Sequence, residues 1–570
     1  VRKFAVACLL LLTFSASAAS RLPATAKHGM VVSASEIASR VGRDVLKRGG
    51  NAVDAAIATA FALAVVWPEA GNIGGGGFML IRNADGSFEA IDYRESAPLA
   101  ATRDMYLDAS GNVVKDASTH TYKAAGVPGT VAGLALAHKR HGRLPWRELV
   151  EPARKLAADG FIISDYLAER TNRKEHVERL SRYAESKRIF LKNGKLFAAG
   201  ERLVQPELAA TLARIAANPG DFYTGDIARR LVADMHANGG IITREDLAQY
   251  KPVVRTPLRS SYREYEVVTM PPPSGGGVAL IEMLNMLDGF DIVSMGWHST
   301  QYVHTVVEVM RRAYADRSHY IGDPAFTKVP LRALMSREYA DARRKTIDPV
   351  RATPSSEAGP GELAPYESQS TTHFVVVDKD GAAVSNTFTL NDSFGSGATA
   401  PAMGFLLNDE MDDFTSKLGA PNTWGLVQGE RNAIAPKKRP LSSMSPVMLL
   451  KDGKLAYVAG SPGGGIIPNA VLQVLLNVID FDMGLQQAVD APRFHHQWMP
   501  DKLAWEDFEF TPDARTSLEK AGYTFAAAHG PLSDLGEPNL GDVEIIAIDP
   551  QTHVRFGAAD PRRGGAAAGY

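Results

Sequence analysis

Apolar positions along the chain follow two periods, and the change of period separates helices from strands. Over 37–66 they recur at helical spacing, with Gly49-Gly50 as a stop and Asn51-Ala52-Val53-Asp54 opening a second, Ala-rich stretch. That stretch is apolar nearly all round, which predicts a buried helix. Between 144 and 310, helix-like stretches at 149–159, 206–217 and 225–238 alternate with loops. Met270-Pro271-Pro272-Pro273-Ser274-Gly275-Gly276-Gly277 then breaks the chain before another apolar helix. Past residue 371 strand signals dominate at 373–377, 383–390, 446–450, 455–460, 542–547 and 554–558, with one return to helix at 469–479. Strands and helices in both halves predict an α/β (α+β) fold with layers of helix around stacked sheets. No internal repeat and no linker between independent domains is evident.

The runs 373–377 and 383–390 are joined by a tight Asp/Gly turn, Asp378-Lys379-Asp380-Gly381. Folding this hairpin about Lys379 and Asp380 sets position 371 opposite 389, within one residue for a bulge, so that the hydroxyls of Thr371 and Thr389 face each other. By itself such a pair is only a pair of good strand formers. Just before it, 355–369 is rich in Ser, Pro, Gly and Glu, which reads as a solvated linker.

The 570 residues, 45% hydrophobic and 22% charged, match a soluble globular enzyme rather than a disordered chain. A formal charge of -2 gives no basic field for nucleic acid and no polybasic patch for a membrane, so small molecules are the expected partners. Arg2 and Lys3, the apolar run 4–14 and Ala16-Ser17-Ala18 form a secretory signal over residues 1–18. Its core of about eleven residues is short against the roughly twenty of a crossing helix, so no stable membrane insertion is expected once it is removed. With Val1 read as the product of an alternative bacterial start codon, the expected compartment is the periplasm. Cys8, the only cysteine, lies inside this signal, so the mature chain has no disulfide, thiol nucleophile or cysteine-bound metal.

Several polar clusters are candidates for chemistry, each with a plainer reading beside it. Arg94, in Asp92-Tyr93-Arg94-Glu95-Ser96, ends a strand and alone reads as an ion-paired arginine. Asn391 follows Thr389 by two, so on a continued strand both side chains share a face, though Asn391-Asp392 also reads as a turn. Glu410 and Asp413, in Asn408-Asp409-Glu410-Met411-Asp412-Asp413-Phe414, are three apart and on a helical turn would face one side; an acidic surface turn is the alternative. Gly74-Gly75-Gly76-Gly77 precedes a strand and lacks the Lys-Ser or Lys-Thr of a phosphate loop, which leaves a tight packing turn. His495-His496 are adjacent and have no further ligands at metal spacing, so no metal or other cofactor is assigned.

The segment from Thr371 resembles the maturation site of the gamma-glutamyltransferases, or glutathione hydrolases, within the N-terminal nucleophile hydrolases. The ordered motifs around Arg94, 408–414, Pro440-Leu441-Ser442-Ser443-Met444-Ser445-Pro446 and Gly460-Ser461-Pro462-Gly463-Gly464-Gly465 extend the resemblance from about residue 28 to Tyr570. It implies a four-layer αββα sandwich and a precursor that cuts itself between Ser370 and Thr371. The products would be a large subunit, 19–370, and a small subunit, 371–570, held as one heterodimer.

Thr371 would then be the nucleophile, with its new α-amine as base and Thr389 polarising it, and Gly463 and Gly464 would supply an oxyanion hole. Arg94, Ser442 and Ser443 would take the substrate α-carboxylate, and Asn391, Glu410 and Asp413 its α-amine. Gly419-Ala420-Pro421-Asn422-Thr423-Trp424-Gly425-Leu426 resembles a lid, with Trp424 where tyrosine is frequent. Gly465-Ile466-Ile467 departs from the family's usual loop. The implied substrates are glutathione and other γ-glutamyl compounds, with water, amino acids or peptides as acceptors. Two alternatives remain: an acylase for glutaryl-type β-lactam side chains on the same fold, and a secreted binding protein that does not cleave itself.

Overall fold

The computed structural model describes residues 20–361, 372–427, 429–507, 509–526 and 539–570. The expected export signal and the expected cleavage pair, Ser370 and Thr371, lie outside the described residues. Two seven-stranded antiparallel sheets form the middle of the fold. The first runs Ala566–Gly569, Met30–Ser33, Thr372–Val377 (β3), Ala383–Thr389 (β4), Gly76–Arg82 (β1), Phe88–Asp92 (β2) and Val253–Arg255. The second runs Ala24–Ala26, Arg555–Ala558, Glu544–Ile548, Lys454–Gly460 (β5), Val447–Lys451, Tyr265–Thr269 and Leu258–Tyr262.

Strand alternation decides which layer each side chain enters. On β1, Phe78 and Leu80 join Met448, Leu450 and Val458 between the sheets. Met79 and Ile81 join residues of the helices Glu36–Lys47 (α1) and Ala52–Val66 (α2) on the outer side. Val447, Leu449 and Ala459 of the second sheet turn to the helices Gly275–Leu287 (α3), Thr300–Tyr320 (α4) and Ile467–Ile479 (α5). The outcome is helix, sheet, sheet, helix: the αββα sandwich expected from the resemblance. α2 is buried along its whole length and starts with a capping box between Asn51 and Asp54, as its all-round apolar pattern required. Cutting its Phe61, which is fully buried, back to alanine would cost about 3–5 kcal/mol.

The hairpin β3–β4 holds the centre of the first sheet. β3 pairs with Met30–Ser33 (Val376↔Val31) and β4 with β1 (Ser385↔Leu80), so a hairpin from the second half of the chain is wedged between strands from the first half. The glycine run feeds directly into β1, and Gly76 and Gly77 already belong to the strand. A Cβ on Gly75 would stand 1.8 Å from the carbonyl oxygen of Thr389, which is why the turn before β1 tolerates no side chain there.

Candidate active site

The rungs of the central hairpin run from Val377↔Ala383 to Thr372↔Phe388. Phe374, Val376, Val384 and Phe388 pack into the helix layer, and the alternate residues face the second sheet. Ser385 Oγ donates to the Ala459 carbonyl at 2.9 Å, and the His373 ring lies against Gly460, where a Cβ would come within 2.3 Å of it. His373 Nδ1 and Thr387 Oγ1 are 2.9 Å apart, and burial pushes the imidazole down to about 3, so it is neutral. Thr389 ends this polar row, its Oγ accepting from the Asn391 N–H at 2.8 Å and its carbonyl accepting from Asn72 Nδ2 at 2.8 Å.

Asn391 does not continue the strand. Its φ of 79° is left-handed, and the turn so made redirects its side chain. Nδ2 donates to the Asp409 carbonyl at 3.1 Å, and Oδ1 accepts from the Trp424 indole at 3.0 Å. The turn reading of Asn391-Asp392 holds, and the shared-face reading with Thr389 falls because the strand stops at Thr389.

Glu410–Asp413 form one turn of 3-10 helix, in which residues three apart eclipse, and Glu410 and Asp413 both meet Arg94. Arg94 Nη1 is 2.6 Å from Glu410 Oε1, and Nη2 pairs with Asp413. The other donations of this fully buried guanidinium are Nε to the Pro440 carbonyl at 3.2 Å and Nη2 to the Leu441 carbonyl at 2.9 Å. Glu95, which sequence reasoning passed over although it adjoins Arg94, lies 3.9 Å from Nη1 and is equally buried.

One guanidinium therefore serves three buried carboxylates. Burial pushes Glu95 and Asp413 well above the usual carboxylate range, Glu410 adds to the rise, and Arg94 opposes it. Burial works against the Arg94 cation, but Glu410, Asp413 and Glu95 outweigh it and raise its pKa. Behind Arg94, Asp92 accepts from the Arg94 N–H at 3.0 Å while pairing with Arg255 at 2.7 Å and Arg439 at 2.6 Å, which fixes the end of β2.

The serine segment joins the cluster through its backbone, since Pro440 and Leu441 are Arg94's acceptors. Ser442 accepts from the Met444 N–H at 3.2 Å, and Ser443 Oγ accepts from Arg317 Nη2 of α4 at 2.5 Å. The Pro-Gly break before α3 packs on the same segment: Gly275 N–H donates to the Ser442 carbonyl at 2.7 Å.

Gly463 and Gly464 follow β5 with φ of 124° and 56°, and a short 3-10 turn leads from them into the N-terminus of α5. Among the described residues neither of their N–H groups donates to a protein acceptor, so the loop presents two backbone donors at a helix start. The unusual Gly465-Ile466-Ile467 packs well, with Ile466 in the helix-side core and the Gly465 carbonyl accepting from Tyr314. Trp424 is buried and its carbonyl accepts from Gln497 at 3.1 Å. His495 and His496 turn to different partners, Asn469 and Asp501, and among the described residues no group of His, Cys, Asp and Glu could hold a metal ion.

Comparison with known proteins adds to this geometry. A family model described as gamma-glutamyltranspeptidase matches residues 38–570. A glutathione hydrolase proenzyme of Pseudomonas sp. (strain A14) is 50% identical, covering 99% of this chain and 98% of its own. A glutathione hydrolase proenzyme of Escherichia coli (strain K12) is 49% identical over 95% of this chain and 91% of its own. Among solved structures, a cephalosporin acylase from Bacillus halodurans superposes with a TM-score of 0.85 at 29% identity, covering 99% of each chain.

Proposed function

The chain belongs to the gamma-glutamyltranspeptidase family, and from that premise we propose that it is a glutathione hydrolase and γ-glutamyltransferase that matures by cutting itself between Ser370 and Thr371. Thr371 then begins a small subunit, 371–570, beside a large subunit, 19–370. In support, the described register ends at Thr372↔Phe388, one rung short of the 371–389 pair that the sequence leads one to expect. The freed α-amine of Thr371 takes the hydroxyl proton as Oγ attacks the γ-carbonyl of glutathione. Gly463 and Gly464 N–H groups meet the oxyanion, cysteinylglycine leaves with the proton, and water or the amine of an amino acid or peptide resolves the γ-glutamyl ester. Pairing of β3 and β4 with strands of the first half supports a heterodimer that outlasts the cut.

The observation that carries the substrate reading is the excess of acid around Arg94. Glu95, Glu410 and Asp413 crowd one guanidinium, so without a second cation the empty cluster holds Glu95 and Asp413 towards their protonated forms, and an α-ammonium can take the place of those protons. On binding, the zwitterionic head group exchanges the Arg94–Glu410 contact for two, carboxylate on Arg94 with Ser442 and Ser443 beside it, and ammonium on Glu410, Asp413 and Asn391. A glutaryl group has no ammonium to give, so the same excess weighs against acylase specificity even though an acylase shares the fold. Trp424 covers the acyl-enzyme. Among the described residues no helix is long and apolar enough to cross a membrane, and with the sequence signal at 1–18 we place the mature enzyme in the periplasm. Chain masses and N-terminal residues of purified protein, with γ-glutamyl-p-nitroanilide hydrolysis on the same sample, test the reading: two chains, one starting at Thr371, and release of nitroaniline support it. A single inactive chain favours the binding protein.

A further inference from the structure

Adjacent residues of the Glu410–Asp413 turn reach different structures. Asp413 joins Arg94, whereas Asp412 reaches the loop that carries Trp424. Asp412 Oδ2 accepts from the Thr423 N–H at 2.9 Å and Oδ1 accepts from Ser118 Oγ at 2.6 Å. The loop is closed at its base by the bridge Pro421↔Val427. Among the described residues, and apart from Asp412, its tip is held by the indole of Trp424 on Asn391, by Gln497 on the Trp424 carbonyl and by long contacts of Asn422 to Asp413 and Thr423 to Asp392, each at 3.5 Å. Asp412 therefore supplies the short carboxylate–backbone bond at the tip, a type roughly twice as strong as one between neutral groups.

We propose that Asp412 is a positioning residue that latches the Thr423–Trp424 loop over the γ-glutamyl site and so sets how well water competes with an amine acceptor. This rests on the γ-glutamyl reading above. The turn that reads the substrate ammonium through Glu410 and Asp413 is thereby the turn that keeps the cover in place, so head-group recognition and closure share one rigid element.

The latch also responds to acid. Burial pushes Asp412 up to about 6, with the bonds from Ser118 and the Thr423 N–H pulling it back. The charged and titratable groups facing it are Asp392 beyond β4, Arg179 of the helix Lys174–Ser181, Tyr106, and Asp409 and Asp413 of its own segment. Above that value a carboxylate accepts both bonds. Below it, the protonated group still accepts from Thr423 through one oxygen and can donate to Ser118 through the other, so the latch weakens without vanishing. Asp412→Asn copies that neutral state at every pH.

The test uses the matured enzyme with γ-glutamyl-p-nitroanilide and glycylglycine, reading the ratio of transfer product to free glutamate, and trypsin cutting after Lys417 under native conditions. Asp412→Ala is expected to lower the ratio at pH 8 about tenfold and to speed the cut, while Asp412→Asn lowers the ratio only a few-fold. Dividing the wild-type ratio by that of Asp412→Asn at each pH cancels the titration of the acceptor amine and the nucleophile, and the quotient should fall towards one between pH 7.5 and 5. If Asp412→Ala does not mature, Ser118→Ala and Asp412→Asn carry the test. An Ala variant that matches wild type in both readouts, or a quotient flat with pH, overturns the latch. Wild type that releases no nitroaniline overturns the γ-glutamyl reading instead, and the trypsin comparison then decides the latch alone.

Discussion

Glu410→Gln isolates the claim that the acidic cluster reads an ammonium. The substitution keeps the shape and an acceptor oxygen but removes one charge from the set of Glu95, Glu410 and Asp413 around Arg94. Arg94 keeps Asp413 and two backbone carbonyls, so the scaffold should hold and the protein should still mature. A hydrogen bond to a charged group contributes about 1.5–3 kcal/mol, and each 1.4 kcal/mol is tenfold in a rate ratio. The value of kcat/KM for γ-glutamyl-p-nitroanilide should therefore fall by about 10- to 100-fold. Glutaryl-p-nitroanilide is the same substrate without the ammonium, and its kcat/KM should stay unchanged or rise as a repulsive carboxylate is lost. The measurement is the quotient of the two, on protein whose chain masses match wild type. A quotient within about threefold of wild type would refute the reasoning, because the third carboxylate would then have another purpose.

Thr371→Ala should remain one chain by mass and lack turnover; hydrolysis of γ-glutamyl-p-nitroanilide by that variant would remove Thr371 as nucleophile. Arg94→Ala should still mature, raise KM at least 100-fold, and lower thermal stability, since breaking a buried pair leaves uncompensated charge at about 3–5 kcal/mol; equal KM would remove Arg94 from substrate binding. His373 lies below its unfolded value near 6.5, held there by burial, so acid protonates the unfolded chain first. Its contribution is full above about 6.5 and is lost as pH falls towards 3, at about 1.4 kcal/mol per unit. His373→Gln in the uncut Thr371→Ala chain should flatten the fall of the urea midpoint between pH 6.5 and 5, and an unchanged slope would contradict the buried neutral imidazole.

What the sequence made legible was local. The turn residues Asp378 to Gly381 between two alternating runs specify a hairpin and its register, and Gly49-Gly50 before Asn51 specifies a helix break and a cap. The eclipsed pair Glu410 and Asp413 was readable from spacing alone. Their meeting with Arg94 was not, because it spans more than 300 positions and is made by tertiary packing. Asn391 misled for a related reason: a period-two argument holds only while the strand lasts, and the left-handed turn ends it. The strand Leu258–Tyr262 left almost no signal, since it edges its sheet and buries only Leu258 and Tyr262. Glu95 and Asp412 were hidden by charge, which reads as surface until a partner is found to bury it.

The wedged hairpin has a kinetic consequence. In the uncut chain β3 and β4 reach their neighbours by an intramolecular search. If the proposed cut makes Thr371 a terminus, the same pairing joins two molecules, neither of which would own a complete first sheet. Refolding after full denaturation then becomes a second-order process that slows on dilution, while the uncut precursor refolds at a rate independent of concentration. Maturation would thus turn a reversible folder into one whose working lifetime is set by its unfolding barrier.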